Sequence, residues 1–137
     1  MEHNSVLRPI MQLENIGVSH TFVKADSEGR VNPVDIEEAI NENTKLIITT
    51  HASNVVGTLV DIKAIGQIAK NHDIVYLVDA SQSAGVYDIN IGEMNIDMLA
   101  MPGHKCLLGP QGTGVLYVNN KIRLESQREG GTGSHSE

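Results

Sequence analysis

Tryptophan is absent, phenylalanine occurs once and tyrosine three times, so any core this chain builds must be aliphatic. The single cysteine, Cys106, excludes an intrachain disulfide framework and suits a reducing compartment. No apolar run approaches the length of a membrane span. The opening MEHNSVLRPI has neither the basic n-region nor the apolar h-region of a secretory leader. Basic residues are scarce, 10 against 17 acidic ones, and apart from the short NNKIR stretch they stand singly. The resulting formal charge of −7 argues against a general nucleic-acid surface. A soluble, cytoplasmic chain is expected, with no membrane and no nucleic-acid partner. Its 137 residues, 40% of them hydrophobic and 20% charged, are enough for one globular domain.

Hydrophobic spacing divides that domain. SVLRPIMQLEN puts Val6, Leu7, Ile10, Met11 and Leu13 on helical spacing, with Ser5 as N-cap and Pro9 near the first turn. VSHTFVKA, residues 18–25, alternates loosely and is rich in β-formers. NPVDIEEAINEN carries a strong helix start: Asn32 as N-cap, Pro33 at the first helical position, acids in the first turn. KLIITTH, 45–51, is a continuous β-branched run, the pattern of a strand buried on both faces. In DIKAIGQIAKNHD, Ile62, Ile65, Ile68 and Ala69 form one stripe behind Asp61 as cap. IVYLVDA (74–80), IDMLAMP (96–102) and GVLYVNN (114–120) read as three further strands. Strand, helix and strand in alternation imply right-handed crossovers and a three-layer α/β fold, its mainly parallel sheet flanked by helices. A sheet of these strands alone exposes an edge. No internal repeat is visible, and the aperiodic tail, 127–137, is expected to be loose.

In an open parallel sheet, ligands sit beyond the carboxyl ends of the strands. That rule selects His51 and Asn54, Asp79 and Gln82, and His104 and Lys105, which should converge on one crevice. Singly, each has a plainer role, Asp79 as a turn cap and His51 as a histidine at the core's edge. Together, three strand ends supply complementary groups. The glycines near Lys105 do not make a phosphate loop, because in GHKCLLGPQGTGVLYV the lysine precedes them and they run into a strand. A dinucleotide fingerprint fails too, since no helix follows. What remains is a lysine held at a strand end by a tight turn, as a Schiff-base lysine is held; partial burial would free its amine as a nucleophile. Such a lysine on pyridoxal phosphate needs a carboxylate at the ring nitrogen, and Asp79, closing a buried strand, is the natural candidate. Gln82 stands three residues on, within reach of the ring oxygen.

THASNVVG, YLVDASQSAG and GHKCLLGPQGTGVLYV, in that order, resemble the class V aminotransferase group of fold-type I pyridoxal phosphate enzymes. The branch most like them holds the cysteine desulfurases and selenocysteine lyases. MEHNS is similar to that branch's motif whose histidine, here His3, stacks on the cofactor ring; GGTGS resembles its turn whose threonine, here Thr132, reaches the phosphate of a partner subunit's cofactor. The resemblance implies Lys105 as the catalytic lysine, Asp79 and Gln82 on the ring, His104 on the phosphate side and Asn54 on the substrate carboxylate. It leaves His51 without a role. It also implies the fold-type I large domain, of which residues 1–137 would be the central segment, and self-association, as a homodimer or a higher oligomer.

Enzymes of that branch are roughly three times this length, beyond an ordinary single domain. The upstream glycine/threonine turn, the small domain with its carboxylate-binding arginine and the sulfur-accepting loop cysteine have no counterpart here. Cys106 follows the lysine directly and is expected to be a small buried or half-buried side chain. Pro102 stands where many relatives carry a phosphate-binding serine, and proline offers neither hydroxyl nor N–H. His3, His20, His51, His72, His104 and His135 show no pair at ligand spacing, so no metal is expected. Three readings stay open: a segment of a desulfurase or lyase (or of an aminotransferase with another amino-acid substrate) with little turnover by itself; a non-catalytic product; and a doubly wound binding module with no lysine chemistry. Cofactor binding by this segment is the point on which they part.

Overall fold

The computed structural model describes residues 1–128. Isoleucine spacing and an aspartate cap build its central helix. Asp61 accepts the Ala64 N–H at 2.9 Å and starts a helix over Ile62–Asn71, whose Ile62, Ile65 and Ala69 are buried. Upstream, Asn32 caps a short helix, Pro33–Glu38, as its sequence requires. The first helix runs Asn4–Leu13, and here expectation and structure part: its N-cap is His3, not Ser5. The His3 Nδ1 accepts the Ser5 N–H at 3.1 Å, so an imidazole does the work expected of a hydroxyl. In chain order these helices are α1 (Asn4–Leu13), α2 (Pro33–Glu38) and α3 (Ile62–Asn71).

The strands are β1 (Leu46–Thr50), β2 (Val75–Asp79), β3 (Met98–Pro102) and β4 (Gly114–Val118), in spatial order β1-β2-β3-β4. β1, β2 and β3 are parallel and β4 returns antiparallel to β3. The result is a mixed, mostly parallel sheet flanked by helices. Residues 18–25, rich in β-formers, form no strand and join no ladder among the described residues. β-formers alone do not make a strand when no neighbouring edge lies within hydrogen-bonding distance.

Register explains which side of the sheet is sealed. Ile47 pairs with Tyr76, and Val78 with Leu99, so these four share a face, and all four are buried in the core with α3. Residues of the opposite parity are more open: Leu46 is 43% exposed, Leu116 51%, and Ile48, Leu77 and Ala100 are half-buried. Burial on both faces, expected from KLIITTH, is complete on one face; on the other, Thr50, Asp79 and Met98 are buried while Leu46 and Leu116 stay exposed. The core is aliphatic except for Tyr76, its largest fully buried side chain, whose hydroxyl lies 2.6 Å from the Thr49 Oγ1. That bond satisfies the one polar atom the ring brings inside.

Candidate active site

Three loops leave one edge of the sheet. Thr50 lies beside Asp79, and Asp79 beside Ala100, so the residues that follow β1, β2 and β3 issue from neighbouring carboxyl ends. Asp79 is the last residue of β2 and, by parity, points away from the α3 face on which Val78 is buried. It is 6% exposed, and its Oδ1 accepts the Ser81 N–H at 2.9 Å. Its second oxygen has no protein donor among the described residues. Asp79 thus caps a turn and still presents an open acceptor.

The chain after Asp79 winds tightly: Ala84 donates to the Ala80 carbonyl at 2.9 Å and Tyr87 to the Ser83 carbonyl at 2.9 Å. The lysine turn is closed by backbone bonds of its own. Gly103 donates to the Thr113 carbonyl at 2.8 Å, Gly109 to the Gly103 carbonyl at 2.7 Å and Leu108 to the Lys105 carbonyl at 2.9 Å. The two loops touch, since a Cβ placed on Gly85 would lie 2.9 Å from the Cys106 carbonyl oxygen. Lys105 is half-buried at this junction, as is Gln82, while His104 is exposed. Cys106 is exposed as well, which overturns its expected burial: its backbone, not its side chain, faces Gly85.

Other expected members stand apart. No hydrogen bond or ion pair joins Lys105 to Asp79 among the described residues. Asn54 is exposed in the loop after β1. The exposed His3 is committed to the α1 cap, and because Nδ1 accepts a backbone N–H there, a neutral ring carries its proton on Nε2. Thr132 lies outside the described residues.

His51 and Glu2 gain content from the structure. His51 is 7% exposed, its ring meets Tyr87 edge-on with centroids 5.8 Å apart, and its Nδ1 is buried without a partner among the described residues. Burial pushes its pKa below the ordinary histidine value. The folded protein therefore holds this ring neutral, and the unfolded chain takes up the proton first as pH falls. Stability should be unaffected above the ordinary histidine pKa of about 6.5 and should drop as the pH falls from there towards the lowered value. Urea midpoints measured between about pH 7.5 and 5 should show that loss, and His51→Gln should flatten the slope. Glu2, which the sequence did not single out, accepts the Thr50 N–H at 2.7 Å through Oε1. Burial raises its pKa, and the neighbouring Asp79 carboxylate adds to the rise. An acid at this position has no periodic context, so nothing in the sequence pointed to it.

The family model for class-V aminotransferases matches residues 1–136. The chain belongs to that family. Within it, a probable cysteine desulfurase of Methanothermobacter thermautotrophicus is 44% identical over 125 residues, 91% of this chain and 31% of the relative. The cysteine desulfurase IscS of Vibrio campbellii is 42% identical over 132 residues, 95% of this chain and 32% of its own length. Among solved structures, SspA in complex with cysteine superposes with a TM-score of 0.83 at 43% identity, over 85% of this chain and 33% of SspA. The apo cysteine desulfurase of Thermococcus onnurineus NA1 gives 0.82 at 37% identity, over 88% of this chain and 30% of that one. The chain thus spans about a third of the length of the cysteine desulfurases it matches, and the families concerned are pyridoxal phosphate dependent.

Proposed function

We propose that this chain carries the lysine and ring-binding part of a pyridoxal-phosphate-dependent cysteine desulfurase site. The observation that carries the reading is the contact of the Lys105 turn with the loop following Asp79, at the carboxyl edge of parallel strands. The donor set suits the ring end of the cofactor. Asp79 has one oxygen held by Ser81 and one free to hold a ring N–H, and Gln82 is a half-buried amide whose N–H would donate to the ring oxygen. The phosphate end is thinly provided among the described residues, because His104 is exposed and Pro102 has no donor.

Bound there, pyridoxal phosphate supplies an aldehyde carbon that takes an amine and a ring that accepts electron density. The protein's share is placement and proton handling. The closed 103–109 loop fixes the backbone from which the Lys105 amine extends, so that Nζ can act as nucleophile and then carry a proton at the reacting carbon. The low exposure of Asp79 excludes most water from its carboxylate and strengthens its hold on a cationic ring nitrogen. His3 would cover the ring, Asn54 would hold the substrate carboxylate, and His104 and Thr132 would face the phosphate, Thr132 across a subunit boundary in a homodimer. A small amino acid, cysteine first, is the proposed substrate. With a third of its relatives' length, the chain by itself should turn over little.

A second reading, a folded but non-catalytic product, draws on the half-open sheet face described above. One experiment separates them. The purified chain is mixed with pyridoxal phosphate, reduced with borohydride and mapped by peptide. The proposal expects one label, on Lys105, lost in Lys105→Ala. Weak labels spread over Lys24, Lys45, Lys63, Lys70 and Lys121 would overturn it.

A further inference from the structure

We infer that Glu2 is a positioning residue of the pyridoxal phosphate site, fixing the His3 imidazole over the place where Asp79 holds the cofactor ring. The inference rests on the function proposed above. Glu2 itself touches neither cofactor nor substrate. It reaches a residue 48 positions along the chain, where its Oε1 accepts the Thr50 N–H at 2.7 Å. Thr50 is the last residue of β1 and pairs in register with Asp79, the last residue of β2. The Thr50 Oγ1 donates to the Ala52 carbonyl at 3.1 Å, which ties this strand end to the loop that follows it. Glu2 is thus anchored to a residue already held beside the ring-binding carboxylate.

What Glu2 anchors is otherwise loosely held. α1 buries none of its residues; Val6, Leu7 and Ile10 are only half-buried. Among the described residues, the bond from Thr50 to Glu2 is the one hydrogen bond that joins residues 1–13 to the sheet. His3, in contrast, is fixed within its own helix. Its Nδ1 accepts the Ser5 N–H at 3.1 Å and lies 2.8 Å from the Ser5 Oγ. Ring and helix therefore move as one unit. Where that unit sits over the carboxyl ends of β1 and β2 depends on Glu2.

The anchoring bond is built to last. It is short, and the Oε2 of the same carboxyl is buried, so little water competes for the Thr50 N–H. A hydrogen bond shut away from water holds more firmly than an exposed one. Burial and the nearby Asp79 charge favour the neutral carboxyl, which keeps its accepting oxygen. An amide of the same shape should therefore serve as well, and a methyl group should not. Because α1 contributes no buried residue, its release should leave the core folded.

The test uses the purified chain and pyridoxal phosphate, with three readouts. These are the dissociation constant for the cofactor trapped at Lys105, the visible circular dichroism of the bound cofactor, and amide exchange without cofactor. In Glu2→Ala the Thr50 amide should exchange about tenfold faster, while the His51 amide, bonded to the Asp79 carbonyl, stays slow. The dissociation constant should rise about tenfold and the dichroic band should fall by about half, since the ring cover is no longer held in place. Glu2→Asp, whose carboxylate is one methylene too short, should behave as Glu2→Ala does. Glu2→Gln should restore all three readouts to within about twofold. His3→Asn keeps a good N-cap and removes the ring; adding Glu2→Ala to it should weaken binding no further, because Glu2 acts through His3. Gly17→Ala, strained but with room for its Cβ, shows what lost stability does alone and should leave the dichroic band unchanged. If the parent binds at Lys105 and Glu2→Ala matches it, the inference falls and the cofactor reading stands. The same holds if Glu2→Gln restores nothing, or if the Glu2→Ala loss is as large with His3→Asn as without it. If the parent labels no single lysine, the cofactor reading falls and this inference falls with it.

Discussion

Replacing Gly66 by alanine is expected to destabilise the protein by about 2 kcal/mol or more, against the usual direction of a glycine-to-alanine change inside a helix. In an exposed helix interior that change gains roughly 1 kcal/mol, because alanine gives up less backbone freedom on folding. Gly66 is buried in the middle of α3, and a Cβ there would overlap the carbonyl oxygen of Met94 and sit 3.4 Å from the Tyr76 ring. The obstacle is main chain in a turn already tied by Met94 to Asn90 and by Ile96 to Ile91. A side chain in its place could rotate away; a bonded turn has to move as a unit. Overpacking of a core typically costs about 1–3 kcal/mol, and backbone overlap belongs at the upper end or beyond, so the clash exceeds the helix gain. Urea unfolding measures the difference directly. Gly92→Ala is the control, since it lies in the same turn and its Cβ would meet nothing nearer than the Asn90 side chain at 3.6 Å. Its midpoint should stay within about 0.5 kcal/mol of the parent's. If Gly66→Ala proves neutral or stabilising, α3 and the 90–95 turn are not packed as described.

The contrast between these two glycines bears on how much the sequence could disclose. Elements set by local chemistry were legible. Asn32 and Pro33 start α2, Asp61 caps α3, and the apolar runs become β1 to β4 within a residue or two of their expected ends. The strand-end positions of His51, Asn54, Asp79, Gln82, His104 and Lys105 were legible because the parallel-sheet rule needs only strand order, which alternation supplies. What stayed hidden depends on neighbours distant in the chain. GQIAK gives no hint that Gly66 lies under Met94, nor does SAG that Gly85 lies on Cys106. The β-forming composition of residues 18–25 left their pairing open, because composition cannot say whether an edge is within reach. His51 was visible as polar but not as a neutral ring packed on Tyr87, since burial there comes from a loop 36 residues on. Even Ser5, the better N-cap by type, yields to His3 because position in the turn, not rank of propensity, decides which side chain meets the free N–H.

Gly85→Ala is expected to cut the rate of selective labelling at Lys105 by about 100-fold while the chain stays folded. Two effects act together at this position. Gly85 has φ of 85°, where an L side chain is strained by roughly 1–2 kcal/mol, and an added Cβ would press on the Cys106 carbonyl at 2.9 Å and the Leu107 side chain at 3.2 Å. Strain alone would lower stability and leave a properly built site in the folded fraction. The contact does more, because Cys106 adjoins Lys105 and the 103–109 loop is closed by the Gly103 and Gly109 bonds. A push on Cys106 therefore moves the loop as a piece and shifts the base of the lysine side chain relative to Asp79. Misplacement of about 1 Å at a reacting group is enough for a loss of that size. Gly17→Ala separates the two effects: φ is 86° there and a Cβ would meet nothing within 4 Å, so it should show the strain and keep the label. The measurement is the initial rate of borohydride-trapped incorporation of pyridoxal phosphate at the Lys105 peptide, set beside the urea midpoint of each variant. Equal labelling by Gly85→Ala and the parent would mean that the loop after Asp79 does not position the lysine. Equal losses of labelling in Gly85→Ala and Gly17→Ala would mean that general stability, rather than this contact, governs it. A loss confined to Gly85→Ala would show that the lysine site is built jointly by two loops from neighbouring strands, which no single stretch of the sequence contains.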